Sequence, residues 1–362
     1  MKTSNMMKKL IPATSLVLAA LLLSSMAYAE KPAPKKKQLG IATYSVKGLE
    51  SDIEGAFKSL QDDGYVVMEI SNYNARNRTI EGYSPLEYAA LAEKYGMDII
   101  SSHTRAKFDI NDVEGSLSAW GQIFDDHQAM GCKYVVFPMN FWARDVEQLK
   151  MECDLMNRIG AEANNRGLKF GYHNHNMEFE KVEGTDQLLE DFLITHTDPG
   201  KVFFQMDVFW VTQGGQDPLT YLKKYPDRFK VLHIKDDYVI GESGKIDFES
   251  IFKQFYKNGN KDWFVEIEEY MTPEQRAQMQ AMMERMRQRQ SEGGQQSRQA
   301  GPPQGQPGQG EGSPRAGQGG QGGPPAGGPP RRTPEEEAKR LATALDAISK
   351  SAAYLSAAKF VK

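Results

Sequence analysis

Between Gln38 and Tyr270, short apolar runs alternate with longer amphipathic stretches. The runs are Leu39–Tyr44, Tyr65–Ile70, Asp98–His103, Lys133–Pro138, Leu168–His173, Val202–Asp207, Phe229–Ile234 and Trp263–Ile267. Each is five or six residues long and rich in Val, Ile, Phe and Tyr. Nearly continuous hydrophobicity over so short a run suits a parallel strand buried on both faces. Helical patterns lie between them, at about 50–63, 84–95, 111–130, 144–166, 184–196, 217–225 and 247–258. Most end at a glycine before the next run, as at Gly64, Gly96, Gly131, Gly167 and Gly259, where glycine makes the expected C-cap. Ser84-Pro85 and Asp217-Pro218 each pair a cap with proline at the first helical position.

Eight strands alternating with helices define the α/β class and predict a (β/α)8 TIM barrel. The competing arrangement, a doubly wound open sheet, usually carries a glycine-rich phosphate loop after its first strand. Tyr44-Ser45-Val46-Lys47-Gly48 has no such fingerprint. The eighth helix is displaced. Thr272-Pro273-Glu274-Gln275 and Thr333-Pro334-Glu335-Glu336 both read as capping boxes, and joining Met271 to Thr333 would restore an ordinary strand–loop–helix unit. Residues 272–332 therefore read as an insertion between strand 8 and helix 8, with the barrel on 39–271 and 333–362. The start of the insertion, to about Gln290, can be helical, with Met279, Met282, Met283 and Met286 on one stripe. That stripe suits a helix resting on the rim or a lid over the mouth. From Gly293 to Pro330, 22 of 38 residues are Gly or Pro. So few large apolar side chains cannot offset the ordering entropy, so this Gly/Pro/Gln-rich tract is expected to be disordered.

The N-terminus also lies outside the barrel pattern. Lys2, Lys8 and Lys9 precede an apolar run from Leu10 to Leu23, and Ala27 and Ala29 occupy the small-residue positions of a cleavage site. This predicts a secretory signal over 1–29, cut before Glu30. The run is shorter than the ~20 residues a membrane span needs. Residues 30–38, with four Lys and two Pro, read as a tether. The expected product is a soluble periplasmic protein without stable membrane insertion. The formal charge is −4, and loss of the signal makes it −7, which argues against a nucleic-acid partner. Cys132 and Cys153 read as buried thiols despite the oxidising compartment.

In a (β/α)8 barrel the chemistry sits at the C-terminal ends of the strands. Here those ends carry Glu69, His103, His173-Asn174-His175 with Glu178 behind, Asp207, His233 with Lys235-Asp236-Asp237, and Glu266 with Glu268. Four of the six histidines fall at these ends, while His127 and His196 fall in helical patterns. Any one of these groups could cap a helix or bond a loop. Together they would converge on one mouth, where desolvation and like-charge repulsion call for a cation. Mixed imidazole and carboxylate donors suit Mn, Zn, Co or Fe(II) better than Ca.

At these residues the chain resembles the xylose-isomerase-like barrel superfamily, often labelled sugar phosphate isomerase/epimerase. The segments that carry the likeness are Gly171-Tyr172-His173-Asn174-His175-Asn176-Met177-Glu178-Phe179, Gln205-Met206-Asp207-Val208-Phe209-Trp210 and His233-Ile234-Lys235-Asp236, which are typical of an exported bacterial subgroup. The likeness covers about 38–270 and the last helix. It implies metal ligands Glu, Asp, His and Glu on strands five to eight. The last three fall on Asp207, His233 and Glu266; the first falls on His173, a departure, with His175 as the alternative ligand. It implies a divalent ion (Mn, Zn, Co or Mg, with Mn favoured) that holds a carbonyl and a neighbouring hydroxyl. Glu266 is the implied base, and His103, His175 and Lys235 are possible substitutes. Glu69, Trp210 and Tyr44 are expected to contact substrate, Trp210 by stacking on a sugar ring. The implied partner is a small carbohydrate, non-phosphorylated given export and the missing phosphate loop; homo-oligomerisation stays open. Isomerisation or epimerisation, keto-sugar elimination such as 3-keto-glycoside cleavage, and non-catalytic sugar binding all fit these residues.

Overall fold

The eight apolar runs close into one barrel. In the computed structural model, which describes residues 37–143, 145–269, 332–362 and five positions between 274 and 285, the strands are β1 Leu39–Ala42, β2 Tyr65–Ile70, β3 Asp98–His103, β4 Tyr134–Phe137, β5 Lys169–His173, β6 Val202–Asp207, β7 Phe229–Ile234 and β8 Asp262–Val265. All pair in parallel, each with its chain neighbour, and β8 returns to β1 through Ile41 opposite Val265. The helices are α1 Ile53–Asp62, α2 Pro85–Lys94, α3 Val113–Ala129, α4 Val146–Asn164, α5 Leu189–His196, α6 Val208–Gln213, α7 Pro218–Lys224, α8 Phe248–Lys257 and α9 Pro334–Ala357. Side chains of Asp52, Ser84, Asp112, Asp145, Asp217, Asp247 and Thr333 accept the free backbone N–H groups of seven of these helices.

Two elements depart from the pattern. The expected helix at 184–196 begins only at Leu189, because Val182 N bonds Gln187 O and Gly184 takes a φ of 73°, making a turn first. Six residues that the periodicity left in a loop form α6, capped by Asp207 itself. The expected signal, the residues 30–36 of the tether and the Gly/Pro tract lie outside the described residues. Glu274, Gln278, Ala281, Met282 and Arg285 are helical and exposed, but the rest of the methionine stripe is outside them too. No helix among the described residues is long and apolar enough to cross a membrane. Both cysteines are buried free thiols.

α9 packs against α1 and β1. Tyr65 Oη donates to Ile348 O at 3.2 Å, and Ser349 Oγ donates to Asp63 at 2.8 Å. Arg340 on α9 grips Glu269, just past β8, with two bonds of 2.9 Å.

Inside the barrel the period of two along each strand stacks side chains in layers. Val67, Phe203, Val231 and Phe264 form an apolar layer with Ala42, Ile100, Tyr134 and Val136. Phe203 fits because Gly171 lies across from it: a Cβ there would meet the Phe203 ring at 2.5 Å. Two residues further along the same faces come Glu69, Gln205, His233 and Glu266, all buried.

On the outside, Glu152 of α4 is burdened by burial, which pushes its carboxyl up to about 7; only the hydrogen bond from Ala143 N (2.9 Å) opposes this. The folded chain thus binds a proton that the unfolded chain releases near pH 4.5, so stability falls as pH rises from about 4.5 to 7. Glu152→Gln keeps an acceptor for Ala143. It is expected to be neutral at pH 4 and to stabilise by roughly 1–3 kcal/mol at pH 8, read by urea denaturation at both pH values.

Candidate functional site

The polar layer opens at the C-terminal mouth. Asp207 ends β6, and its Oδ1 accepts from Phe209 N at 2.9 Å and Trp210 N at 3.0 Å, which starts α6. Its Oδ2 is buried and has no hydrogen-bond partner. β7 places His233 directly opposite Asp207 in register. His233 Nδ1 lies 2.8 Å from Glu266 Oε2 without hydrogen-bond alignment. His173, at the end of β5, points Nε2 toward Asp207 Oδ2 at 3.9 Å. His173, Asp207, His233 and Glu266 each offer a donor atom, all within 4.8 Å of one another and all buried. His103, His173 and His233 form a second such group, and their rings stand 4.8 Å apart pairwise.

Lys235 sets the charge balance. Its Nζ donates to Glu266 Oε1 at 2.8 Å and Glu268 Oε1 at 2.6 Å, and lies 4.0 Å from Asp207 Oδ2. Burial alone would neutralise this ammonium; the carboxylates Glu266, Glu268 and Asp207 override it and keep it charged. Burial likewise disfavours the Glu266 carboxylate, but Lys235 and His233 hold it well below the usual range. For Asp207 burial wins, and its carboxyl is raised. The His233 imidazole, between Glu69 and Glu266, is lifted to about 10 against the pull of burial.

The expected substrate contacts take different places. Glu69 is fully buried, and both its oxygens are engaged: Oε1 by His233 Nε2 at 2.5 Å, Oε2 by Ser101 Oγ at 2.6 Å and Gln205 Nε2 at 2.8 Å. A carboxylate so enclosed orders its neighbours and has no free oxygen for a sugar. The Lys235 ammonium sits 4.7 Å over the Trp210 ring, so that face is closed to stacking; the indole Nε1 is buried and unpartnered. Tyr44 does lie at the mouth, 40% exposed, with Oη donating to Glu268 Oε2 at 2.9 Å and the Lys47 ammonium 3.1 Å over its ring. His175 packs 5.0 Å from His173 and 5.6 Å from Trp210, with Nδ1 buried and unpartnered. Burial, with Lys235 nearby, lowers it to about 3, so it is a neutral imidazole. His103 Nε2 bonds Gln205 Oε1 at 2.5 Å.

Glu178 serves the loop, accepting from Tyr172 Oη at 2.6 Å and His175 N at 2.7 Å. His127 bridges Ile123 O and Ser102 Oγ, and His196 bonds Phe192 O, both away from the mouth. Gln205 and Ser101 belong to the site although the sequence pattern passed over them. Each stands two residues before a strand-end donor, Asp207 and His103, and so shares its face; that spacing was the available signal.

The donor set suits a divalent ion: two imidazoles and two carboxylates converge, and Asp207 Oδ2 is buried without a partner. Residues 56–289 match the family model of xylose isomerase-like TIM barrels. Over 142 residues the chain is 29% identical to an inosose dehydratase of Clostridium beijerinckii, covering 33% of this chain and 46% of that protein. Over 133 residues it is 28% identical to one of Lacticaseibacillus casei, covering 30% and 43%. The chain thus matches less than half the length of these relatives. A solved sugar phosphate isomerase/epimerase of Parabacteroides distasonis superposes with a TM-score of 0.67 at 29% identity, over 90% of this chain and all of that one. A 3-keto-D-glucoside 4-epimerase of E. coli shares the fold at 14% identity and a TM-score of 0.50, over 70% of this chain and 100% of that one. With 234 of its 362 residues matched by the family model and a closed eight-stranded parallel barrel, the chain belongs to the xylose isomerase-like TIM barrel family.

Proposed function

We propose that this protein is an exported, divalent-metal-dependent enzyme that removes the proton beside a carbonyl of a non-phosphorylated carbohydrate and returns it, as an isomerase or epimerase. The observation that carries this reading is the buried convergence of His173, Asp207, His233 and Glu266 at the barrel mouth. A bound ion, with Mn favoured among Mn, Zn, Co and Mg, would polarise the carbonyl and stabilise the enediolate. Those four residues would hold the ion, with His173 as the strand-five ligand. Lys235 keeps Glu266 ionised and in place. Glu266 is the candidate base; its Oε1 would exchange the bond from Lys235 Nζ for the substrate proton. His175, with Nδ1 unpartnered, is positioned beside the ligands to accept or return a proton. His103, bonded to Gln205, supports the imidazole layer, and Tyr44 lines the entrance.

A second reading, elimination from a keto-sugar or 3-keto-glycoside, is favoured by one observation. An imidazole at strand five removes one of the two carboxylates that a symmetric proton exchange would use, leaving Glu266 as base and the Lys235 ammonium, held charged beside it, as a candidate acid for a leaving group. The likeness to inosose dehydratases points the same way. Proton NMR in D2O, with Mn-loaded enzyme on ketoses and 3-keto-glycosides, tests both. Deuterium at the α-carbon with the skeleton intact supports isomerisation; release of water or aglycone supports elimination. A purified protein that holds no divalent metal would favour non-catalytic sugar binding.

A further inference from the structure

We propose that Glu69 and Gln205 are positioning residues that decide which nitrogen of His233 and of His173 faces the metal ion; this rests on the metal-binding reading above. Glu69 is fully buried and its carboxylate only accepts. His233 Nε2 at 2.5 Å must therefore carry the hydrogen, which turns Nδ1 toward Glu266 and the other donors. Gln205 Nε2 donates to the other Glu69 oxygen at 2.8 Å, so the orientation of the amide is set and its Oε1 is the acceptor. That Oε1 faces His173 Nδ1 at 3.0 Å and His103 Nε2 at 2.5 Å. His173 must donate from Nδ1, which leaves Nε2 facing Asp207.

One carboxylate thus orients two ligands: His233 directly, binding through Nδ1, and His173 through the Gln205 amide, binding through Nε2. Ser101 Oγ, donating at 2.6 Å, completes the acceptor's shell. Partners of this kind fix tautomer and ring orientation, and their loss typically costs about 10–100-fold in metal affinity.

Zinc is the probe, being diamagnetic. In protein labelled with 15N-histidine and loaded with zinc, long-range 1H–15N spectra are expected to show a His233 that keeps its Nε2 hydrogen and binds zinc through Nδ1, and a His173 that keeps its Nδ1 hydrogen and binds through Nε2. Glu69→Gln cannot accept on both sides of its amide, so zinc is expected to bind about 10–100-fold more weakly. Gln205→Met leaves Glu69 and His233 together, so only His173 should lose its fixed nitrogen. A purely structural role would lower the melting temperature of the variants without changing which nitrogen binds. If zinc binds through these imidazoles by the opposite nitrogens, or if Glu69→Gln binds zinc within twofold of the parent, the relay is wrong and the metal reading stands. If zinc leaves both imidazoles undisturbed in the parent, the metal reading fails and the relay with it.

Discussion

Asp207→Asn is expected to cut divalent-metal affinity by more than the roughly 10–100-fold that outer-shell partners cost, and to abolish turnover, while the metal-free barrel stays folded. The two oxygens of Asp207 do different work. Oδ1 starts α6 by accepting from Phe209 N and Trp210 N, and asparagine keeps this acceptor and is as good a cap. Oδ2 is the buried, unpartnered atom that faces His173 Nε2 at 3.9 Å and Lys235 Nζ at 4.0 Å. Asparagine removes its charge and puts an NH2 donor where a ligand is needed. The metal-free variant should therefore melt at or above the parent temperature, because a buried carboxyl held against its own ionisation has been neutralised. Plasma emission spectrometry of the purified proteins and calorimetric melts check both halves. Full metal retention by the variant would remove Asp207 from the ligand set.

Lys235→Met is expected to act in the opposite direction. Its ammonium, 1% exposed, sits among three carboxylates. Removing one partner of a buried ion pair leaves the other uncompensated, at a cost of about 3–5 kcal/mol. For a domain of this size that lowers the metal-free melting temperature by ~6–20 °C. The remaining carboxylates then need a cation more, so Mn or Zn should bind more tightly than to the parent. Saturating metal should recover most of the lost stability, since ligand bound only to the folded state stabilises by mass action. Melts with and without metal read both effects. An unchanged metal-free melting temperature would show that Lys235 does not balance the site.

Much of this was legible in the sequence, and the reason differs by element. The eight strands showed because a strand buried on both faces must be apolar throughout, and their glycine C-caps punctuate the helices. The strand-end donors showed because barrel topology says where to look. α6 did not show: six residues are too few to establish a helical period, and the Asp207 side chain that caps it reads equally as a ligand. Glu69 was visible, but its partners were not. Whether a carboxylate meets solvent or a glutamine across the barrel depends on strand order and stagger, which bring Gln205, 136 residues away, to 2.8 Å. Trp210 was visible too, but the lysine covering its face comes from the next strand, 25 positions along the chain.

The apolar layer of Val67, Phe203, Val231 and Phe264 beneath the polar one makes the barrel a vessel with a single opening. On the proposed function, an ion, a sugar and any exchanged proton would all enter from the C-terminal side, where Tyr44 and Glu268 lie. A sugar seated over the donors would then cork the ion beneath it. On the same reading, the ion would have to bind before the sugar, and a bound substrate analogue is expected to slow the escape of the ion to chelators.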